Sequence, residues 1–299
     1  MAAGVVIVAM VTSGCVASGP DAGGWRLPWE RGTGDAAGVP CVALPGPSAT
    51  GGLGDARLRE IMRVLMSTSE NSSLDWRAQA SYIEYNVEGN PRDNRGYTAG
   101  IVGFTTRAGD LLKLAEAYTV AHPRNPLATY LPALRRAEGS PSASGLGDGF
   151  VRAWRQAARD PAFVDAQVAK ADAWYYDPAI SHAVRDGLGP LGQFAYADSA
   201  VMHGVDGGYD SFTATRERAA QRARPPAAGG DETAYLRAFL TERKASMRSE
   251  TAHADTSRVD DQQRRFLDAR NLALRLPLRW SVYGDAYAIV PPGNRCPAR

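Results

Sequence analysis

Leu191-Gly192-Gln193-Phe194-Ala195-Tyr196-Ala197-Asp198-Ser199-Ala200-Val201-Met202 carries one charged side chain, Asp198. A helix that is apolar on nearly every face has no side to give to water, so this stretch predicts a helix over 190–203 buried through the centre of the molecule. The rest of the chain must then supply elements that wrap it. Helical spacing is frequent on both sides. Asp55 is placed to cap a helix whose face is Leu58, Ile61, Met62 and Leu65, at i, i+3, i+4 and i+7. That helix ends before Glu70. Leu111, Leu112, Leu114, Ala115 and Tyr118 make a second face, and Leu127, Tyr130, Leu131 and Leu134 a third. Further helices are predicted at about 150–158, 161–174, 179–187, 211–223, 232–250 and 258–272. Ala99 to Thr106 is glycine-interrupted and rich in Ile, Val, Phe and Thr, which suits one short strand. The fold class read from these patterns is mainly α (α+β), with a small β element.

At 299 residues, with 44% hydrophobic and 22% charged residues, the composition is that of an ordinary globular chain. A net charge of +2 says little about partners, but a nucleic-acid binder would more often show a lopsided basic face. Arg216, Arg218, Arg222 and Arg224 read as a solvated helix face, and no nucleic-acid partner is expected. His122, His182, His203 and His253 lack the spacing of a metal site. Gly145-Leu146-Gly147 lacks the rest of a dinucleotide fingerprint and reads as a loop. Neither a metal nor an organic cofactor is implied.

The first residues carry a separate message. Residues 1–18 resemble a secretory signal peptide without a basic leading segment, which implies an exported protein. Ser13-Gly14-Cys15 also resembles a lipobox, which would attach a membrane lipid through Cys15 and leave the protein at the cell surface. Residues 19–54, rich in Gly, Pro, Ala and Ser, read as a linker or a tail ordered by contact. Cys41 and Cys296 then remain as a pair near the two ends of the mature chain. A disulfide between them and two free thiols are both open readings.

Two polar stretches carry the chemistry. Ser69-Glu70-Asn71-Ser72-Ser73-Leu74-Asp75-Trp76 follows the helix capped by Asp55, and Asp93-Asn94-Arg95-Gly96-Tyr97-Thr98 precedes the strand. Each holds a carboxylate among small polar groups, with Leu74 and Trp76 as apolar surface near the first. Glycoside hydrolysis needs one carboxyl to protonate the leaving oxygen and a second to act on the anomeric side. Each stretch also has a plain reading. Glu70 is a helix-terminal surface acid, Asp93 is a turn residue, and Asn71-Ser72-Ser73 is a glycosylation sequon.

Together and in this order, the two stretches resemble the signature of the chitosanases of glycoside hydrolase family 46. Similar stretches recur from Leu58 to Ile289, among them Leu191 to Tyr196, Val201-Met202-His203-Gly204, Asp255 to Asp260 and Tyr283-Gly284-Asp285. The resemblance implies a lysozyme-like fold of two mostly helical lobes joined by a long central helix, with the substrate cleft beside the small β element. It places the catalytic domain at 55–291, followed by a C-terminal tail at 292–299. It further implies endo-acting hydrolysis of β-1,4 bonds in chitosan with inversion, and chitosan or its oligosaccharides as the only partners. Carried over residue by residue, it makes Glu70 the general acid, Asp93 the general base and Thr98 the residue that orients water. Asn71, Ser72, Tyr82, Arg95, Asp110, Tyr175, His203 and Glu250 match substrate-binding positions, with Asp110 facing a glucosamine ammonium. Asp198, Arg243 and Arg258 match a buried ionic chain leading to Glu70. The stretch Tyr85 to Arg92 is longer than in the family, which makes Glu88 a rival to Asp93 as the base. Two other functions fit the same residues: a muramidase-like enzyme on this fold, and a chitosan-binding surface protein without activity.

Overall fold

The computed structural model describes residues 38–87, 94–249 and 255–296. The signal-like segment with Cys15, most of the linker, Glu88, Asp93 and Glu250 lie outside them. All fourteen residues of the helix Pro190–His203 are buried, as its nearly uncharged sequence predicts. In chain order it is α7. Before it come α1 (Ala56–Asn71), α2 (Asp110–Ala121), α3 (Leu131–Ala137), α4 (Gly147–Ala157), α5 (Pro161–Ala171) and α6 (Asp177–Arg185). After it come α8 (Phe212–Arg222), α9 (Glu232–Arg248) and α10 (Arg264–Asp268). At fourteen residues the central helix is shorter than α1 and α9, of sixteen and seventeen.

Strands β1 (Cys41–Ala43), β2 (Ile83–Tyr85), β3 (Tyr97–Ala99), β4 (Phe104–Thr105), β5 (Leu278–Val282) and β6 (Asp285–Val290) form two sheets. The antiparallel sheet β2-β3-β4 packs with α2 and α4. The sheet β1-β6-β5 packs against the segment leading into α10, which in turn lies on α9. α1, α6, α8 and α9 all touch α7. The polar groups of so deeply buried a helix need partners. Gln193 uses its amide to accept from Gly52 N–H at 2.8 Å and to donate to Thr50 O at 2.9 Å, which pins the chain before α1. Gly51 lies between those contacts at φ +66°, where a Cβ would sit 2.6 Å from Gln193 Oε1, so only glycine passes.

Of the two readings of residues 19–54, the described part, 38–54, is the tail ordered by contact: β1 pairs in parallel with β6, and Cys41 is disulfide-bonded to Cys296. Three sequence-based expectations change. The predicted strand over 99–106 is a hairpin, β3 and β4 joined by a tight turn. The helices predicted over 161–174 and 258–272 each contain a π-helical turn, Asp172–Tyr176 and Arg258–Gln263. The hairpin β5–β6 was absent from the predicted elements, although Leu278, Trp280 and Val282 alternate as a half-buried strand should. Among the described residues no helix is long and apolar enough to cross a membrane.

Candidate active site

Helix α1 begins where Asp55 accepts from the N–H groups of Arg57 and Leu58. It runs one turn further than its apolar spacing suggests, so Glu70 stands in its last turn rather than after it. Ser72 then ends the helix in a left-handed conformation, φ +48°. Leu58, Ile61, Met62 and Leu65 anchor the helix in the core, and Glu70 itself is only 5% exposed. A carboxylate this deep requires a charged or hydrogen-bonding partner.

The partner is Arg258, at the start of the second π-helical turn. Its Nη2 lies 2.6 Å from Glu70 Oε1 and 2.6 Å from Asp198 Oδ1. Asp198, on α7, uses its other oxygen for Gln263 Nε2 at 2.7 Å and for an ion pair with Arg243 of α9. Arg243 Nη1 donates to Gln263 Oε1 at 2.8 Å, which closes the cluster. Asp198, Arg243 and Arg258 are each fully buried. Burial works against ionised Asp198, but the charges of Arg243 and Arg258 outweigh it and hold the carboxyl below its ordinary range. Burial likewise opposes the charge on Arg258, while Asp198 and Glu70 outweigh it and bind its proton more tightly. On Arg243 burial prevails and pulls the value down. The structure thus joins four residues from α1, α7, α9 and the second π-helical turn into one chain that ends at Glu70. π-Helical turns concentrate at functional sites, and both of these carry candidate residues.

Thr98 is the central residue of β3, opposite Glu84 of β2 and Thr105 of β4. Its hydroxyl is buried and has no hydrogen-bond partner among the described residues. Arg95 enters β3 from the loop and uses its carbonyl to accept from Arg107 N–H at 3.1 Å. Tyr82 Oη donates to Glu84 Oε2 at 2.8 Å.

Asp110 is the first residue of α2, with Gly109 in the capping position. Its Oδ1 accepts from the N–H groups of Thr105 at 2.6 Å and Leu111 at 2.8 Å, and Tyr175 Oη lies 3.5 Å from Oδ2. Burial raises the Asp110 carboxyl to about 6, with those backbone donors opposing the shift. Tyr175 lies in the first π-helical turn, and burial followed by the charge of Asp110 raises its phenol. His203 ends α7, buried, with Nδ1 4.0 Å from Asp210 Oδ2.

Some expected surfaces lie elsewhere. Trp76 packs along the middle of α1 rather than beside Glu70: its Nε1 donates to Glu60 Oε1 at 3.1 Å, and Arg77 stacks 4.1 Å from its ring. Asn71 is half-buried at the end of α1. Sequence reasoning missed a set of contacts at this end of the helix. Trp280 Nε1 donates to Thr68 Oγ1 at 3.0 Å, and Tyr283 Oη donates to Ser69 O at 3.0 Å. Two aromatic residues of the C-terminal hairpin therefore hold the end of the helix that carries Glu70. The described residues contain no group of three His, Cys, Asp or Glu side chains able to hold a metal ion.

Comparison with known proteins places this arrangement. The family model described as glycosyl hydrolase family 46 matches residues 64–278. A chitosanase from a Streptomyces species is 53% identical over 241 residues, covering 81% of this chain and 85% of that protein. A solved chitosanase complex superposes with a TM-score of 0.73 at 48% identity, covering 77% of this chain and 95% of its own. A family 46 chitosanase from Gynuella sunshinyii, solved in complex with chitotetraose, does so with a TM-score of 0.70 at 31% identity, covering 78% and 97%. These neighbours share the mainly helical, lysozyme-like architecture built around α7. The match runs from the middle of α1 to the start of β5 and so takes in Glu70, Thr98 and the whole ion chain: the protein is a glycoside hydrolase and belongs to glycosyl hydrolase family 46.

Proposed function

We propose that this hydrolase cuts β-1,4 bonds between glucosamine units inside chitosan chains, with inversion at the anomeric carbon. The observation that carries the substrate is the relatedness over four fifths of the chain to a chitosanase, supported by a neighbour solved with chitotetraose. Glu70 is the general acid: it gives its proton to the glycosidic oxygen as the bond from that oxygen to the anomeric carbon breaks. Asp93 is the general base: it takes a proton from a water that attacks the same carbon from the opposite face. Thr98 orients that water, and Asp110 receives a substrate ammonium group through a charge-assisted hydrogen bond. Asn71, Ser72, Tyr82, Arg95, Tyr175, His203 and Glu250 complete the substrate surface. The ion chain Asp198–Arg243–Arg258 sets the orientation of Glu70, and the charge of Asp198 offsets that of the arginines.

The protein is exported, with residues 1–18 as its signal. The Cys41–Cys296 bridge supports this reading, because disulfides persist in oxidising compartments. Product analysis on chitosans of graded acetylation, with chitin, carboxymethyl cellulose and peptidoglycan as controls, tests the substrate. Shortening of chitosan alone, with internal cuts, is the expected outcome; release from peptidoglycan instead would transfer the protein to the muramidase-like reading. NMR of the first-formed anomer tests the stereochemistry, and a retained β-anomer would overturn the role given to Asp93.

A further inference from the structure

Tyr283 occupies a position that its side chain should not favour. Val282 and Asp285 are paired across the β5–β6 hairpin, so Tyr283 and Gly284 alone make the turn. Their φ values are +54° and +86°. A two-residue turn with both central residues left-handed selects Asn, Asp or Gly at the first position. A bulky aromatic there is an outlier, and such outliers persist where surrounding contacts hold them.

The contacts explain the choice. Tyr283 Oη donates at 3.0 Å to the carbonyl of Ser69, one of the last-turn carbonyls that a helix cannot satisfy by itself. Tyr283 N–H donates at 3.0 Å to Ser257 Oγ. Ser69 precedes Glu70, and Ser257 precedes Arg258. One residue thus grips the backbone beside the acid with its side chain and the segment beside the guanidinium with its main chain. Burial pushes the Tyr283 phenol up to about 12, with Arg258 pulling it down and Glu70 pushing it up, so it remains a hydrogen-bond donor in neutral solution. Trp280 fastens the same hairpin to Thr68, and β6 is tied to β1.

We propose that Tyr283 is a positioning residue that sets the register between Glu70 and Arg258 and thereby the aim of the general acid. The proposal rests on Glu70 being that acid. Without the phenolic hydroxyl, the last turn of α1 loses its lateral anchor, and Glu70 can follow Arg258 away from the glycosidic oxygen. Binding of the sugar chain, which uses other residues, is largely retained.

The test is steady-state hydrolysis of chitosan by the full chain carrying Tyr283→Phe, Tyr283→Asn or Glu70→Gln. Tyr283→Phe keeps the ring and removes only the hydroxyl. Its kcat is expected to fall about tenfold with KM within twofold, at a temperature well below its melting point. Tyr283→Asn suits the left-handed turn and is expected to unfold within a few degrees of Tyr283→Phe while losing as much kcat. Wild-type kcat in Tyr283→Phe, with Glu70→Gln inactive, overturns the positioning role and leaves the acid assignment standing. A loss in Tyr283→Phe that appears in KM rather than kcat also overturns it. An active Glu70→Gln enzyme instead removes the reading on which the proposal rests.

Discussion

Asp198 and Glu70 share one nitrogen of Arg258: Nη2 lies 2.6 Å from Asp198 Oδ1 and 2.6 Å from Glu70 Oε1. The Glu70 carboxylate is thereby coupled to a carboxylate on the central helix, so α7 and the end of α1 share one ionic contact. Asp198→Asn would leave Arg243 and Arg258 buried with too little negative charge. Breaking a buried pair costs about 3–5 kcal/mol, and urea unfolding should show a loss of that size. The pH dependence has a definite sign. A carboxyl held below its ordinary range adds stability above its unfolded value of about 3.9, and that stability is lost as pH falls through the lower folded value. The wild-type protein should therefore weaken in acid more steeply than Asp198→Asn. Parallel curves would show that Asp198 titrates alike in the folded and unfolded protein.

The two carboxyls proposed as acid and base are expected to act on turnover and not on binding. Glu70→Gln and Asp93→Asn should each lower kcat by about 10²–10⁴-fold, the usual contribution of a general acid or base, while chitosan still binds. Glu88→Gln should change kcat by less than about threefold on the same scale. A crippled Glu88→Gln beside an active Asp93→Asn would shift the base to Glu88 and change the alignment across the lengthened loop.

How much of this was legible depends on what carried each signal. The burial of α7 could be read directly, because twelve residues with one charge admit few other placements. The cap at Asp55 and the face of α1 were equally plain. Glu70 was misplaced by one turn, since Ser67, Thr68 and Ser69 break the apolar spacing although all three are buried. The Thr68 hydroxyl and the Ser69 carbonyl find partners far away in sequence, Trp280 and Tyr283, and no local pattern can reveal that. The same holds for β1. A three-residue strand in a Gly- and Pro-rich segment forms only because β6 offers it an edge. Trp76 misled for the opposite reason: it is near Glu70 in sequence, but Glu60, Arg63 and Arg77 draw it to the middle of the helix.

Asp110 should link affinity to pH. Its carboxyl is raised to about 6 by burial, so the folded protein holds a proton there that the unfolded chain releases near 3.9. Stability then declines as pH rises from about 3.9 to 6 and is flat above, by about 3 kcal/mol at most from a shift of that size. Asp110→Asn should abolish the decline. An ammonium group bound at Oδ2 favours the ionised form, so wild-type affinity for fully deacetylated oligomers should gain as pH rises through 6. Asp110→Asn should raise KM for those oligomers more than for partly acetylated ones, and the gap should close below pH 6. Equal effects on both substrates would remove Asp110 from substrate discrimination.

Thr98 separates function from stability most cleanly. Its hydroxyl is fully buried and makes no hydrogen bond among the described residues, so the fold gains nothing visible from it. An unsatisfied buried hydroxyl costs about 1–3 kcal/mol, and Val replaces Thr with nearly the same shape. Thr98→Val should therefore keep or raise the melting temperature. β-Branched residues also suit the centre of β3, which favours the same outcome. If the hydroxyl orients the attacking water, kcat should nevertheless fall by at least tenfold, with KM little changed. Thr98→Ser, which keeps the hydroxyl, should recover most of that loss while being less stable than Thr98→Val. A Val variant that is both more stable and as fast as the wild type would leave water orientation to other groups.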